Sequence, residues 1–427
     1  MNITFYTLGC KVNQYETQSI RECFLKKGYS CDKNKKADII IINSCTVTAE
    51  SDRKTRQLLR KCRKNNNESV IVLTGCMVEA FPEKSELYPE ADIITGNTNI
   101  EKIVFLTEKF INEKEKIIDV EPHKPFEKYN TPSIDSFSER TRAYMKIEDG
   151  CERYCSYCII PTARGVVRSR KTEDIKNEAL RLAENGYKEI VLVGINLSAY
   201  GKGEDYNLCD AVDAVCSVEG IKRVRLGSLE PDHITDEMLK RFKKQKKFCP
   251  QFHLSLQSGC DETLKRMNRH YDGAFYLDLV ERIRKIFDDS SVTTDIMVGF
   301  AGETQEEFNK SLEFVEKIGF ARAHIFVYSR REGTVAAALK NQVVNCEKEK
   351  RARLMSEISR KSEKDFLKNQ CGKIFPVLFE KCENSVAYGY TPNYTRVAVK
   401  TDKKLNSQIH NVKIISSFDD YCEGIIV

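Results

Sequence analysis

Apolar and polar positions along the first third of the chain alternate between strand-like and helix-like periods. An apolar stretch over 3–8 ends at Gly9-Cys10, and a helical stretch follows over 13–27. The run Asp38-Ile39-Ile40-Ile41-Ile42-Asn43 predicts a second strand, ending at Ser44-Cys45. A helix over 49–64 leads to Ser69-Val70-Ile71-Val72-Leu73-Thr74, a third strand ending at Gly75-Cys76. A short fourth strand is expected over 91–95. Strands alternating with helices predict a parallel sheet with helices on its faces, and the isoleucine run suits a strand buried on both sides. An N-terminal α/β domain over 1–120 follows.

Residues 121–138 carry Pro122, Pro125 and Pro132 with little periodicity, and predict a linker. Strands are then expected over 143–148, 189–193, 223–229, 251–256, 292–298 and 323–328, with helices between them. Thr172, followed by Glu173 and Asp174, supplies a helix start. Six such units predict a partial (βα)6 barrel over 139–362, with its active site at the C-terminal strand ends. A charged periodic helix is expected over 346–369. Short strands over 375–379, 386–390, 395–399 and 411–415 predict a small β-barrel, making a third domain over 363–427. The fold class is thus α/β with a small β-barrel appended.

The 427 residues suffice for two or three domains. No apolar run reaches membrane-spanning length, and the first residues lack the charged and apolar regions of a signal peptide. The seventeen cysteines are an odd number in a long chain, which argues against a secreted disulfide framework and for a reducing cytoplasm. The net charge of +6 permits contact with nucleic acid without demanding it.

Two groups of cysteines change the picture. Cys151, Cys155 and Cys158 stand at C-x3-C-x2-C spacing in Glu148-Asp149-Gly150-Cys151-Glu152-Arg153-Tyr154-Cys155-Ser156-Tyr157-Cys158. Thiolates so spaced suit an iron–sulfur cluster or a zinc ion. The chain has no second C-x2-C pair to complete a zinc site. Three thiolates on a cubane would leave one iron open. Cys10, Cys45 and Cys76 each follow the C-terminal end of a strand, where an open parallel sheet binds ligands. They form a second three-thiolate set, with Gly9, Ser44 and Gly75 letting backbone approach a bulky group. The other eleven cysteines read as packing or surface residues.

The loop from Cys151 to Cys158 resembles the signature of the radical S-adenosylmethionine (SAM) enzymes. In that family three cysteines hold a [4Fe-4S] cluster, and SAM chelates its open iron. Gly299-Phe300-Ala301-Gly302-Glu303-Thr304, His253-Leu254-Ser255-Leu256-Gln257-Ser258-Gly259 and the stretch 223–230 resemble its cofactor-facing strand ends, with Ala301 where Pro is common. The resemblance implies that Glu230, Ser255, Gln257 and Glu303 contact SAM. Arg164, Arg168 and Arg170 are expected to hold the SAM carboxylate or substrate phosphates. Thr162 and Val166 stand where the family often has Tyr and Pro. The last segment, with Tyr388-Gly389-Tyr390-Thr391-Pro392-Asn393-Tyr394, resembles the RNA-binding TRAM module. Tyr388, Tyr390, Tyr394 and Arg396 are the expected RNA contacts.

This domain order is similar to that of the methylthiotransferases. Thr7-Leu8-Gly9-Cys10-Lys11-Val12-Asn13-Gln14-Tyr15-Glu16-Thr17 resembles the branch acting on threonylcarbamoyladenosine in tRNA, as does Gly194-Ile195-Asn196-Leu197-Ser198-Ala199-Tyr200-Gly201. The isopentenyladenosine branch usually has Gln-Met-Asn after the first cysteine, and the ribosomal-protein branch Pro-Lys-Asn. The resemblance implies two [4Fe-4S] clusters, on Cys151, Cys155 and Cys158 and on Cys10, Cys45 and Cys76, and two SAM molecules per turnover. It implies addition of a methylthio group at C2 of the modified adenosine at position 37, in the anticodon loop of tRNA. An electron donor such as flavodoxin or ferredoxin and a sulfur source are expected partners, and the cytoplasm the expected location. The alternatives are a sister methylthiotransferase acting on isopentenyladenosine or a ribosomal protein, and a zinc-stabilised RNA-binding protein without catalysis.

Overall fold

The computed structural model describes residues 1–98, 100–137 and 140–427. Five parallel strands pair in sequential order: β1 (Ile3–Thr7), β2 (Ile39–Ser44), β3 (Val70–Gly75), β4 (Ile93–Thr95) and β5 (Ile117–Asp119). The fifth is not among the expected strands, because three residues are too few to show a period. Both β2 and β3 are buried along their whole length. Successive side chains of a strand point to opposite faces, so the isoleucine run feeds two cores. Ile39 and Ile41 pack with Ile20 and Phe24 of α1 (Lys11–Lys26). Ile40 and Ile42 pack with Leu59 and Cys62 of α2 (Ala49–Asn65) and Met77 of α3 (Cys76–Ala80). The helix α4 (Lys102–Glu113) lies with α1. Each isoleucine so buried stabilises the sheet by roughly 1.5–3 kcal/mol.

The described residues between 121 and 138 form no helix or strand, yet they are anchored. The Tyr129 hydroxyl donates to the Lys146 carbonyl at 2.8 Å, and Ile134 and Phe137 are buried in the next core.

That core belongs to an open barrel of parallel strands in two sheets. One holds β6 (Arg142–Lys146), β9 (Glu189–Val193) and β10 (Arg223–Leu226). The other holds β11 (Ser228–Leu229), β12 (Gln251–Leu254), β13 (Ser291–Val298) and β14 (Arg322–Val327). The break falls at Gly227, inside the single strand expected over 223–229. Between β6 and β9, β7 (Glu148–Asp149) pairs antiparallel with β8 (Arg168–Ser169) and closes the base of the loop bearing Cys151. The helix α5 (Ile160–Arg164) lies inside that loop, and α6 (Thr172–Glu184) follows it. The outer helices are α7 (Leu208–Cys216), α8 (Asp236–Lys244), α9 (Asp261–Arg266), α10 (Gly273–Ile286) and α11 (Gln305–Ile318), then the short α12 (Val335–Ala338).

The helix α13 (Asn345–Lys368) runs without a break across the expected boundary at 362/363. Ser359 bonds to Ala323 on β14, while Leu367 is buried in the core of the last domain. That domain is a closed barrel of β15 (Ile374–Glu383), β16 (Val386–Tyr390), β17 (Arg396–Lys400), β18 (Ile409–Ser417) and β19 (Cys422–Ile426). The fifth strand, β19, closes the barrel by pairing with both β17 and β18. Among the described residues no helix is long and apolar enough to cross a membrane.

Candidate active site

The first thiolate set is built by three strand ends. Cys10 caps the N-terminus of α1, Cys45 follows β2 and Cys76 opens α3. Asn13 ties two of these turns together, donating from Nδ2 to the carbonyls of Leu8 at 3.0 Å and Ser44 at 2.8 Å. The Ser44 hydroxyl accepts from the Met77 amide at 3.2 Å and adds the third. Two glycines are required by space. At Gly9 (φ +101°) a Cβ would lie 2.7 Å from Cβ of Cys45, and at Gly75 (φ +98°) 2.4 Å from Oδ1 of Asn43. The helix end at Cys10 also favours negative charge on a sulfur.

The second set lies on the loop closed by β7 and β8. The Cys151 amide donates to the Gly165 carbonyl at 3.0 Å, and the Cys158 amide to that of Cys155 at 2.9 Å. Ser156 fastens the loop to α9, its amide bonding to Met267 and its hydroxyl to Arg266. The Tyr157 ring meets Phe300 edge-on, with centroids 6.3 Å apart.

The two sets meet across a domain interface. Cys76, Ala80 and Phe81 pack against Ile159 and Ala163 in a small apolar cluster. Beside it, Arg164 is fully buried and donates from Nε to Sγ of Cys76 at 3.2 Å. Its other nitrogens reach Asn13 at 3.0 Å and both carboxylate oxygens of Glu16. Lys146 joins the same network, with Nζ 2.7 Å from both Glu16 and Asp149. Burial alone would raise the Asp149 carboxyl, but Lys146, Arg164 and Arg168 outweigh it and hold the pKa well below the usual carboxylate range. The second set has a matching donor: Nη1 of Arg269 lies 3.1 Å from Sγ of Cys155. One buried arginine thus serves one sulfur in each set.

The donor sets fit a multi-iron cluster better than a zinc ion. A tetrahedral zinc with Zn–S of ~2.3 Å brings its sulfurs to about 3.8 Å from one another. A structural zinc site also needs a fourth ligand, whereas each set offers three thiols with an arginine N–H beside one of them. N–H groups aimed at cysteine sulfur are a usual means of tuning iron–sulfur clusters. Burial pushes the thiols of Cys76, Cys151 and Cys158 up to about 12, so these groups surrender protons only to a strongly bound cation.

The residues expected around SAM lie at the strand ends, several of them already paired. Glu230 bridges Arg269, and Glu303 accepts from the Gly299 amide and from Arg351, both at 2.7 Å. Arg164 and Arg168 do not present free N–H groups to a ligand. Arg164 is engaged as described, and Arg168 bonds the carbonyls of Arg164 and Val166 and pairs with Asp149 and Glu127. Arg170 pairs with Glu178 at 2.8 Å. Ser255 and Gln257 sit at the end of β12 with no hydrogen bond from either side chain. Gln257 adopts φ +70°, a conformation disfavoured for a side chain of its size. The strand expected over 251–256 thus ends early, at Leu254.

Of the expected RNA contacts, Tyr390 and Tyr394 meet arginines of the open barrel, while Tyr394 stays 37% exposed. Tyr390 and Tyr394 stack with centroids 4.7 Å apart, and the Arg142 guanidinium lies 5.0 Å from each ring. Arg225 covers Tyr394 at 4.7 Å. Arg396 pairs with Asp420 at 2.9 Å and lies over Tyr388. Tyr390 and Tyr394 therefore join the small barrel to the open one, while Arg396 pairs within the small barrel.

Between the two barrels lies a cavity of about 540 Å³ that no local sequence pattern marks. Lys11, directly after Cys10, lines it together with Arg142, Arg225, Arg322, His253 and His324. Nε2 of His253 lies 3.4 Å from Oδ2 of Asp295, and Nδ1 of His253 is 3.0 Å from Thr293. Burial holds the His324 pKa down; Arg322, Lys11 and His253 act the same way against Asp295.

Comparison with known proteins agrees with this architecture. Residues 145–315 match the model of the radical SAM superfamily, and residues 2–96 that of uncharacterized protein family UPF0004. The chain is 36% identical to a threonylcarbamoyladenosine tRNA methylthiotransferase MtaB of Bacillus subtilis, covering 100% of this chain and 96% of that one. It is 37% identical to the protein of that name from Thermotoga maritima, over 98% and 95%. A tRNA-2-methylthio-N(6)-dimethylallyladenosine synthase of Clostridium perfringens is 35% identical, over 96% and 94%. Among solved structures, the radical SAM methyltransferase TsrM of Kitasatospora setae shares the fold, with a TM-score of 0.58 at 14% identity over 79% of this chain and 77% of that one.

Proposed function

The chain belongs to the methylthiotransferases of the radical SAM superfamily, and on that premise we propose that it converts N6-threonylcarbamoyladenosine at position 37 of tRNA to its 2-methylthio derivative. Cys151, Cys155 and Cys158 would hold one [4Fe-4S] cluster and Cys10, Cys45 and Cys76 the second, and with SAM these groups would supply the radical activation of adenine C2 and the methylthio group placed there.

The chain's own residues arrange that chemistry. Asn13 and Ser44 hold the first three thiolates in register. Arg164 and Arg269 each direct an N–H at one sulfur, which favours added negative charge there. The apolar contact of Cys76, Ala80 and Phe81 with Ile159 and Ala163 excludes water from the domain interface. The pairs Glu303–Arg351 and Glu230–Arg269 fix the strand ends expected to face SAM. A base at position 37 lies in a single-stranded loop and can enter without opening a duplex.

The observation that supports this substrate is the charge of the cavity beside Cys10. Lys11, Arg142, Arg225 and Arg322 line it. An isopentenyl group would strip water from Lys11, the one of these side chains without an ion pair among the described residues, and offer it no partner. A threonylcarbamoyl group brings a carboxylate, a hydroxyl and a urea linkage. Identities of 36% and 35% to the two tRNA branches do not favour either, so the cavity carries the distinction.

The test is the nucleoside profile of tRNA from a deletion strain. Loss of the methylthio group from threonylcarbamoyladenosine alone, restored by the wild-type gene, is the expected result. Loss from isopentenyladenosine instead would overturn the proposal.

A further inference from the structure

We propose that the Lys11 ammonium is the seat of the substrate's carboxylate, which makes Lys11 a specificity-determining residue. This rests on threonylcarbamoyladenosine being the substrate.

The pairing of the cavity's cations singles out Lys11. Arg142 is bound by Glu380 at 2.6 Å, Arg225 by Glu189 at 2.8 Å and Arg396 by Asp420 at 2.9 Å. Arg322 has Glu363 at 3.9 Å. The Lys11 side chain has no ion pair and no hydrogen bond among the described residues. It is accessible to water, yet it lines the cavity together with Tyr394, Arg142 and Arg225. An unpaired ammonium among other cations is a place that an anion completes.

The same surroundings argue against a metal ion at His253, Asp295 and His324. Their ligand atoms lie within 4.8 Å of one another. A divalent cation there would meet Lys11 and Arg322, both of which act electrostatically on His324. An anion is the ligand this field favours. The site's place in the chain fits the reaction as well. Lys11 directly follows Cys10, so the residue that lines the cavity adjoins the first thiolate set in the chain.

The experiment measures the affinity of the cluster-loaded enzyme for anticodon stem-loop RNAs. Three carry threonylcarbamoyladenosine, its neutral carboxamide analogue, or isopentenyladenosine at the target position. Wild type is compared with Lys11→Met and Lys11→Arg at equal iron and sulfide content. We expect wild type to prefer the carboxylate RNA over the carboxamide by about tenfold to a hundredfold, the range for a hydrogen bond to a charged group. Lys11→Met should lose this preference and Lys11→Arg should keep most of it. A Lys11→Met enzyme with the full wild-type preference would overturn the assignment of Lys11 and leave the substrate standing. A wild-type enzyme that prefers the isopentenyl RNA would overturn the substrate reading itself.

Discussion

Nε of Arg164 lies 3.2 Å from Sγ of Cys76, joining a residue of the open barrel's loop to a cysteine 88 positions earlier. The contact makes the first thiolate set depend on the second domain for its electrostatics. A positive N–H beside a thiolate stabilises the more reduced, more negative cluster. Arg164→Lys keeps the charge but removes the Nε donor and the paired bonds to Glu16. The potential of the N-terminal cluster should fall by on the order of tens of millivolts, while the other cluster stays unchanged. An EPR-monitored redox titration reads both.

On the proposed reading the two thiolate sets divide the work. Cys151→Ala should abolish reductive SAM cleavage. Cys10→Ala should retain it while losing methylthiolated product. Chromatography of 5′-deoxyadenosine and of RNA nucleosides checks both outcomes. Equal cleavage in the two variants would contradict the division.

Gly75→Ala tests the close approach behind Cys76. The added Cβ would lie 2.4 Å from Asn43 and 2.5 Å from the Ser44 carbonyl, on a backbone at φ +98°. The backbone strain alone is about 1–3 kcal/mol, and the turn must shift to relieve the clash. Iron content should fall by about half, because each of the two clusters holds four irons, with SAM cleavage retained. Full iron content would show that the turn adapts.

Much of this arrangement is legible in the sequence, and the unread part has a common cause. The cysteines after Ile39–Ser44 and Val70–Gly75 could be placed because a strand and its end are local patterns. Arg164 could not be read the same way. It stands close to the cysteine loop and resembles a ligand-binding residue, but Cys76, Asn13 and Glu16 reach it only through tertiary packing. Tyr390 and Tyr394 look like a stacking platform for bases, and only the docked barrel brings Arg142 against both rings. Lys11 reads as an ordinary start of a helix until the cavity it enters is seen. The small strands β5 and β19 lie outside the expected strands because each is completed by neighbours, not by its own period.

Glu189 anchors the small barrel indirectly. It holds Arg223 and Arg225, which donate to the carbonyls of Tyr390 and Pro376 and of Pro392 and Thr391. Burial by itself would raise this carboxyl, but Arg225, Arg142 and Arg223 together hold its pKa below the usual range. Its contribution is therefore complete above about pH 4.3, the ordinary glutamate value, and is lost as the pH falls through its lower value in the folded chain. Glu189→Gln should cost about 3–5 kcal/mol near neutral pH. The gap in thermal midpoint to wild type should hold from pH 8 to 5 and narrow in more acid solution. Hydrogen exchange should rise first at β16 and the turn after it.

The most direct test of the account is a reconstituted reaction. Enzyme loaded with iron and sulfide is given SAM, a reductant and an anticodon stem-loop bearing threonylcarbamoyladenosine, and the nucleosides are read by mass spectrometry. The account expects the 2-methylthio derivative from wild type and none from Cys76→Ala. Product made by Cys76→Ala, or product formed only on an isopentenyladenosine stem-loop, would contradict it.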